Sequence, residues 1–319
     1  MFRRDLGRRL LGLVVSLLVA SLLIFLVTNA LPGSIANVVL GTQASAGEIA
    51  AFEERHGLNR PLLLRYVEWI GGILGGDFGT TFVGGRSVLE EILSRLGVSV
   101  WLVALGMFFA LLIAVPLGSF AALRRRHASG FVASMLSQIG LSIPAFWAGM
   151  WLVIFFAVNL RWLPAGGYVP LSRDPVGWAT HLVLPVASLA LVQGSLLARY
   201  VRSAVIEVIS EDWFRTARAV GWSRLGALFR HGTRNIAISL LTVIGLQVAT
   251  LLVGAIIIEQ VFAIQGLGSR LLLAVSQRDL VLVQGIILVL VWTVLVINFA
   301  VDVVYQAIDP RLRETGATS

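Results

Sequence analysis

LGVSVWLVALGMFFALLIAVPLGSFAAL, residues 96–123, carries no charged side chain over its 28 residues. A helix needs about 20 residues to cross roughly 30 Å of hydrocarbon, so this stretch is long enough to span a membrane. A buried core helix seldom needs a run of that length. Outward from it, five more runs lack Asp, Glu and Arg: Leu10–Gly47, His127–Leu160, Pro175–Ala198, Asn235–Ile258 and Leu280–Val301. Soluble chains carry about a quarter charged residues. Here the charged share is 13%, the hydrophobic share 57% and the mean hydropathy +0.88, which excludes a soluble domain. The expected fold class is an all-α membrane protein with six transmembrane helices. Arg3, Arg4, Arg8 and Arg9 before Leu10–Leu31 imitate a secretory signal. The apolar stretch exceeds the roughly 7–15 residues of such a signal, so it is read as a retained first helix.

A net charge of +8 would point to nucleic acid in a soluble protein. Its distribution points elsewhere. All 25 basic residues are Arg, because the chain has no Lys. With the N-terminus inside, six crossings return the C-terminus inside, and sixteen Arg fall on cytoplasmic segments, among them Arg124, Arg125, Arg126, Arg311 and Arg313. The two short outer loops hold only Arg161, Arg173, Arg270 and Arg278. This is the positive-inside bias of a multi-pass protein of the cytoplasmic membrane, and it makes lipid rather than nucleic acid the partner.

Two segments organise the rest. Residues 1–95 comprise the N-terminal tail, the first span and a long outer loop; residues 96–319 form a five-helix core with a cytoplasmic loop at 199–235 and a short cytoplasmic tail. In the outer loop, Leu62, Tyr66, Trp69, Ile70 and Ile73 recur at helical spacing. That predicts an amphipathic helix with Tyr66 and Trp69 as interfacial anchors. Residues 87–96 read as a second amphipathic helix that enters the next span.

Chemical machinery is sparse. Without Lys the chain cannot carry an ordinary P-loop, whose Lys contacts phosphates, so ATP work falls to a partner. Absence of Cys removes disulfides and thiolate metal sites. His56, His127, His181 and His231 have no i, i+4 pairing, and no metal site is expected. An ion-coupled carrier often shows ionisable groups mid-membrane; Glu259 and Asp302 stand at span edges, where an interface or an Arg partner would account for them. The polar residues inside spans are Ser142, Gln193, Gln247 and Asn298, candidates either for a substrate path or for interhelical hydrogen bonds.

The most polar stretch runs Glu211–Asp212–Trp213–Phe214–Arg215–Thr216–Ala217–Arg218–Ala219–Val220–Gly221. It is compatible with a helix that ends at Gly221, since glycine takes a left-handed conformation at low cost. A second amphipathic helix follows, with Trp222, Leu225, Leu228 and Phe229 on one side. The residues alone allow a docking knob or a loop lying on anionic lipid.

That stretch closely resembles the Asp-aromatic-x-Arg-Thr-Ala-Arg-Ala-x-Gly signature of ABC importer permeases, in the form used by the peptide and nickel family. His231–Gly232–Thr233–Arg234–Asn235 resembles the family's His-x-x-Arg-Asn. Leu31–Pro32–Gly33, His56–Pro61, Gly76–Gly79, Ser142–Phe146, Trp162–Gly167, Ile258–Phe262, Arg278–Asp279 and Asp309–Pro310–Arg311 follow in the family's order. The long outer loop is similar to that of the B-type subunit. Gln265, Leu280–Val281 and Ser239 depart from the pattern, at the outer mouth and at one helix start. The resemblance implies a type I importer transmembrane domain that pairs with a homologous second permease subunit. It implies two ABC ATPase subunits holding the ATP and Mg, with no cofactor on this chain, and an extracytoplasmic substrate-binding protein. It implies ATPase coupling through Glu211, Asp212, Arg215, Thr216, Ala217, Arg218, Ala219 and Gly221. The implied function is ATP-driven import of di- or oligopeptides by alternating access, with nickel or another small solute as the alternative and a stand-alone channel or carrier as a distant one.

Overall fold

The computed structural model of the protein describes residues 2–30, 40, 41 and 43–308. Among these residues there is no strand, only an isolated bridge between Thr80 and Ser87. The helices are α1 (Phe2–Ala30), α2 (Ala46–Arg55), α3 (Leu62–Leu74), α4 (Val88–Leu123), α5 (Ala128–Ser142) and α6 (Ala145–Leu152), the last widening into a π-helical stretch over Val153–Asn159. Then come α7 (Pro175–Ser210), α8 (Asp212–Ala219), α9 (Arg224–Ala227) with a π turn over Leu228–Gly232, α10 (Thr233–Val261), α11 (Leu267–Ser276) and α12 (Leu280–Ile308).

Among the described residues, five helices are long and apolar enough to cross a membrane: α1, α4, α7, α10 and α12. The run His127–Leu160 is not the straight span expected of it. α5 and α6 meet at 98°, and each 15-residue arm is only about 22 Å long, short of the hydrocarbon thickness. Pro144 stands at the break. Its ring disfavours helical geometry at the preceding residue, and Ile143 is accordingly extended at φ −93°, ψ 121°. The second amphipathic helix of the outer loop and the second span form one unbroken helix, α4.

The described chain divides into two compact units. One holds residues 99–265 with the flanking segments 2–6 and 297–308. Its centre is α7, which packs against α5, α6 and α10. Leu184, Leu197, Val201 and Val205 on α7 are buried, as expected of a helix with neighbours packed around it. Small residues let the backbones approach: a Cβ at Gly118 would lie 2.5 Å from the Ala198 carbonyl oxygen, and one at Gly140 would collide with the Ser195 hydroxyl. The loop Trp162–Gly167 is fastened to the end of α10, where Gly167 N–H donates to the Phe262 carbonyl at 2.7 Å. Glu259, expected at an interface or beside an Arg, is buried and accepts a hydrogen bond from the Ser99 hydroxyl.

The other unit holds residues 7–98 and 266–296. Val88 and Ile92 pack with Leu267, Ala274, Leu282 and Ile286 as its core. Beside this core the Glu91 carboxylate accepts from Arg86, Arg95 and Arg270 at 3.2–3.3 Å. Tyr66 and Trp69 turn toward α1. Tyr66 Oη lies 2.9 Å from Ser21 Oγ, and both rings stack about Phe25. Their partners are therefore side chains of the first span.

Candidate functional site

The stretch singled out by its polarity forms a short helical hairpin between α7 and α10. Glu211 ends α7 and starts α8: its backbone is extended (φ −67°, ψ 147°) and its carbonyl accepts from Phe214 N–H at 3.1 Å. α8 is amphipathic. Phe214, 5% exposed, roots it, while Glu211, Asp212, Arg215, Thr216, Arg218 and Ala219 face outward and Ala217 is half-buried. Asp212 in the first turn and Arg218 in the last complement the helix dipole. The Arg215–Asp212 pair, 3.3 Å apart and exposed on both sides, adds at most about 1 kcal/mol.

The turn that follows requires its glycine. Gly221 adopts φ +104°, a region that other residues enter only under strain. Val220, Gly221 and Trp222 N–H groups donate back to Thr216, Arg218 and Ala217 carbonyls at 3.0–3.2 Å, satisfying the end of α8. Arg218 Nη1 reaches across and donates to the Trp222 carbonyl at 2.7 Å, tying helix to turn. Ser223 then caps α9, accepting from Gly226 N–H at 3.0 Å. Ala227 and Leu228 are buried on the return leg, so the hairpin is rooted at both ends. The exposed groups include no nucleophile paired with a base. They form a contact surface of mixed charge.

The residues predicted as a coupling patch thus share one projecting element. Two features of it were not foreseen from sequence: Phe214 as the root and the Arg218–Trp222 clasp. Only the amphipathic spacing hinted at the first. The substrate-path candidates are dispersed. Gln193, 5% exposed on α7, donates to Gln247 Oε1 on α10 at 3.0 Å. Ser142 is exposed at the break between α5 and α6 and donates to the Gln138 carbonyl at 3.2 Å. Asn298 on α12 lies against Gly245 of α10, its Oδ1 2.8 Å from where a Cβ would stand. The His231 side chain, Leu31–Pro32–Gly33, Asp309–Pro310–Arg311 and Arg313 lie outside the described residues.

Residues 114–314 match the family described as binding-protein-dependent transport system inner membrane component, and residues 1–103 match its N-terminal companion. The glutathione transport system permease protein GsiC of Salmonella choleraesuis (strain SC-B67) is 40% identical over 306 residues, covering 96% of this chain and 97% of that protein. The protein named "Probable peptide ABC transporter permease protein y4tP" of Sinorhizobium fredii is 35% identical over 309 residues, with 96% and 98% covered. An inward-facing structure of the MetNI methionine ABC transporter shares the fold, with a TM-score of 0.56 and 19% identity over 69% of this chain and 97% of that one.

Proposed function

The chain belongs to the family of binding-protein-dependent transport system inner membrane components, and from that membership we propose that it forms half of a pathway that imports di- or oligopeptides, driven by ATPases docked on α8. It is a multi-pass permease subunit of an ABC importer, and the family's role is passage of solute rather than catalysis. Relatives that share over a third of its residues along nearly their whole length carry glutathione and peptide names, which supports the peptide class.

The observation that carries the coupling role is the rooted hairpin. α8 presents Glu211, Asp212, Arg215, Thr216, Arg218 and Ala219 outward, while Phe214, Ala227 and Leu228 bind the loop to the helices behind it. A push on a rooted element moves what it is rooted in, whereas a loose loop would absorb it. In this reading the partner ATPases hold ATP and Mg, close on α8 and shift α7 and α10 together. A homologous permease completes the pathway, an extracytoplasmic binding protein delivers the peptide, and both termini lie in the cytoplasm. Transport requires the loop's contacts to differ between the two states, because a ligand biases an equilibrium only by differential binding.

The test is uptake of labelled di- and oligopeptides by cells with and without the gene, with ATP depleted in a parallel arm. Uptake that needs both gene and ATP supports the reading. No gene-dependent uptake by an assembled complex overturns the peptide assignment and directs the search to nickel or another small solute.

A further inference from the structure

Between α4, α9 and the start of α10 lies an open cleft of about 970 Å³. Along most of its length the walls are apolar: Val115, Pro116 and Phe120 from α4, and Ile236, Ala237 and Leu240 from α10. At one end the chemistry changes to Arg124, His127 and Arg224. No carboxylate lines it among the described residues. From Val115 to Arg124 the helix rises about 14 Å, so the apolar trough and its cationic end are separated along the direction in which α4 leaves its apolar run. Arg124 is steadied over the Phe120 ring at 5.2 Å. The α9 side of the mouth is uncovered, with Leu225 55% and Phe229 68% exposed. A second cleft of about 420 Å³ shares Leu123, His127 and Arg224 as a wall and adds Arg125, Arg126, Arg215 and Arg218, again without a carboxylate.

An apolar trough that ends in guanidinium groups, with no carboxylate among its described lining residues, is complementary to a molecule with an apolar body and an anionic end. We infer that this cleft is a binding site for an anionic phospholipid, its acyl chain along the trough and its phosphate at Arg124, His127 and Arg224. Basic pockets between membrane helices recognise headgroups by this chemistry. A peptide lying there would leave its amide groups facing Val115, Phe120 and Leu240 without partners, which is costly. A zwitterionic lipid would bring its own cation to a wall whose charged groups, Arg124 and Arg224, are both cations. The two short helices of the hairpin thereby take separate roles: α9 is held by lipid, and α8 remains free to dock. The site stands whether or not the transported solute is a peptide.

The test uses the assembled importer in nanodiscs of phosphatidylcholine. These contain about one-fifth photoactivatable phosphatidylglycerol, or the same acyl probe on phosphatidylcholine. Adducts are mapped by mass spectrometry. Phosphatidylglycerol should label residues 115–124 and 225–240 roughly tenfold more than the phosphatidylcholine probe does. The pair Arg124→Glu and Arg224→Glu should bring the two probes to parity. Ala237→Trp, which fills the trough without altering charge, should reduce labelling by both. Excess inorganic phosphate at matched ionic strength should leave the adducts in place. The proposal is overturned by equal labelling with the two probes, by preference that survives both variants, by displacement with phosphate alone, or by cross-linking of the trough to a partner subunit that excludes lipid.

Discussion

Gly221 and Gly118 show two different reasons for one residue type. At Gly221 space is plentiful, with no atom within 4 Å of a built Cβ, and the constraint is φ +104°. Valine there pays for left-handed geometry and for β-branching, about 1–2 kcal/mol, at the junction that orients α8. Gly221→Val is therefore expected to insert normally, with unchanged amounts in membrane fractions, yet to abolish uptake; Gly221→Asn, which tolerates that region better, should retain part of it. Ala217→Trp on the same helix should lose uptake by bulk rather than by backbone strain. Normal uptake by either Gly221→Val or Ala217→Trp would remove α8 from the coupling role. At Gly118 the constraint is contact: a Cβ would meet the Ala198 carbonyl oxygen at 2.5 Å and Val201 Cβ at 2.7 Å. Overpacking of this sort costs about 1–3 kcal/mol. Gly118→Leu should lower the thermal midpoint of the purified complex, read by tryptophan fluorescence, by at least as much as Gly221→Val does.

Among the elements, the bent pair α5–α6 departs most from expectation. The apolar run His127–Leu160 was readable as membrane-embedded, and Pro144 as a point of weakness, but proline in a span can also be accommodated: Pro116 sits inside α4 and Pro185 inside α7, and both helices continue through it. What distinguishes Pro144 is its tertiary setting. Gly149, one turn beyond it, lies against Ser188 of α7 and the Phe262 ring, and Gly140, one turn before it, lies against Ser195. Each arm is thus seated separately on α7. Pro144→Ala restores a donor and frees Ile143 to be helical. Spin labels on cysteines at Phe131 and Phe155, both exposed, should then move apart by about 10 Å if the arms straighten. An unchanged distance would assign the bend to the seating on α7 instead. The chain has no native Cys, so the labels report without background.

At the scale of the molecule, topology follows from whether that bent pair crosses the membrane or returns. The Arg distribution argues for six crossings, with residues 124–126 inside and 162–168 outside. Single cysteines at Arg125 and Tyr168 should therefore react with an impermeant maleimide from opposite sides of sealed vesicles. Reaction of both from one side would make α5–α6 re-entrant and place the C-terminus outside. The same experiment with a cysteine at Thr216 should label from the Arg125 side and be protected when the ATPases are bound.

The sequence by itself determined the membrane environment, the all-helical class, the approximate spans and the family. These depend on composition, on charge-free runs set against a fixed bilayer thickness, and on local signatures such as Ala217–Arg218–Ala219–Val220–Gly221. It also made the glycine-ended helix of the hairpin legible, because a helix stop is a property of neighbouring residues. Tertiary structure decided what depends on distant partners. It turned Tyr66 and Trp69 onto Phe25 of α1, joined Gly167 to the Phe262 carbonyl, and gave buried Glu259 the Ser99 hydroxyl. It placed residues 266–296 with residues 7–98 in one unit, and it brought the Arg124–Arg126 turn alongside the hairpin to line the clefts. Groups that meet across some forty to 160 residues leave no periodic trace in the chain. An apolar face inside a membrane protein also looks the same in sequence whether it meets lipid, a neighbouring helix or a bend.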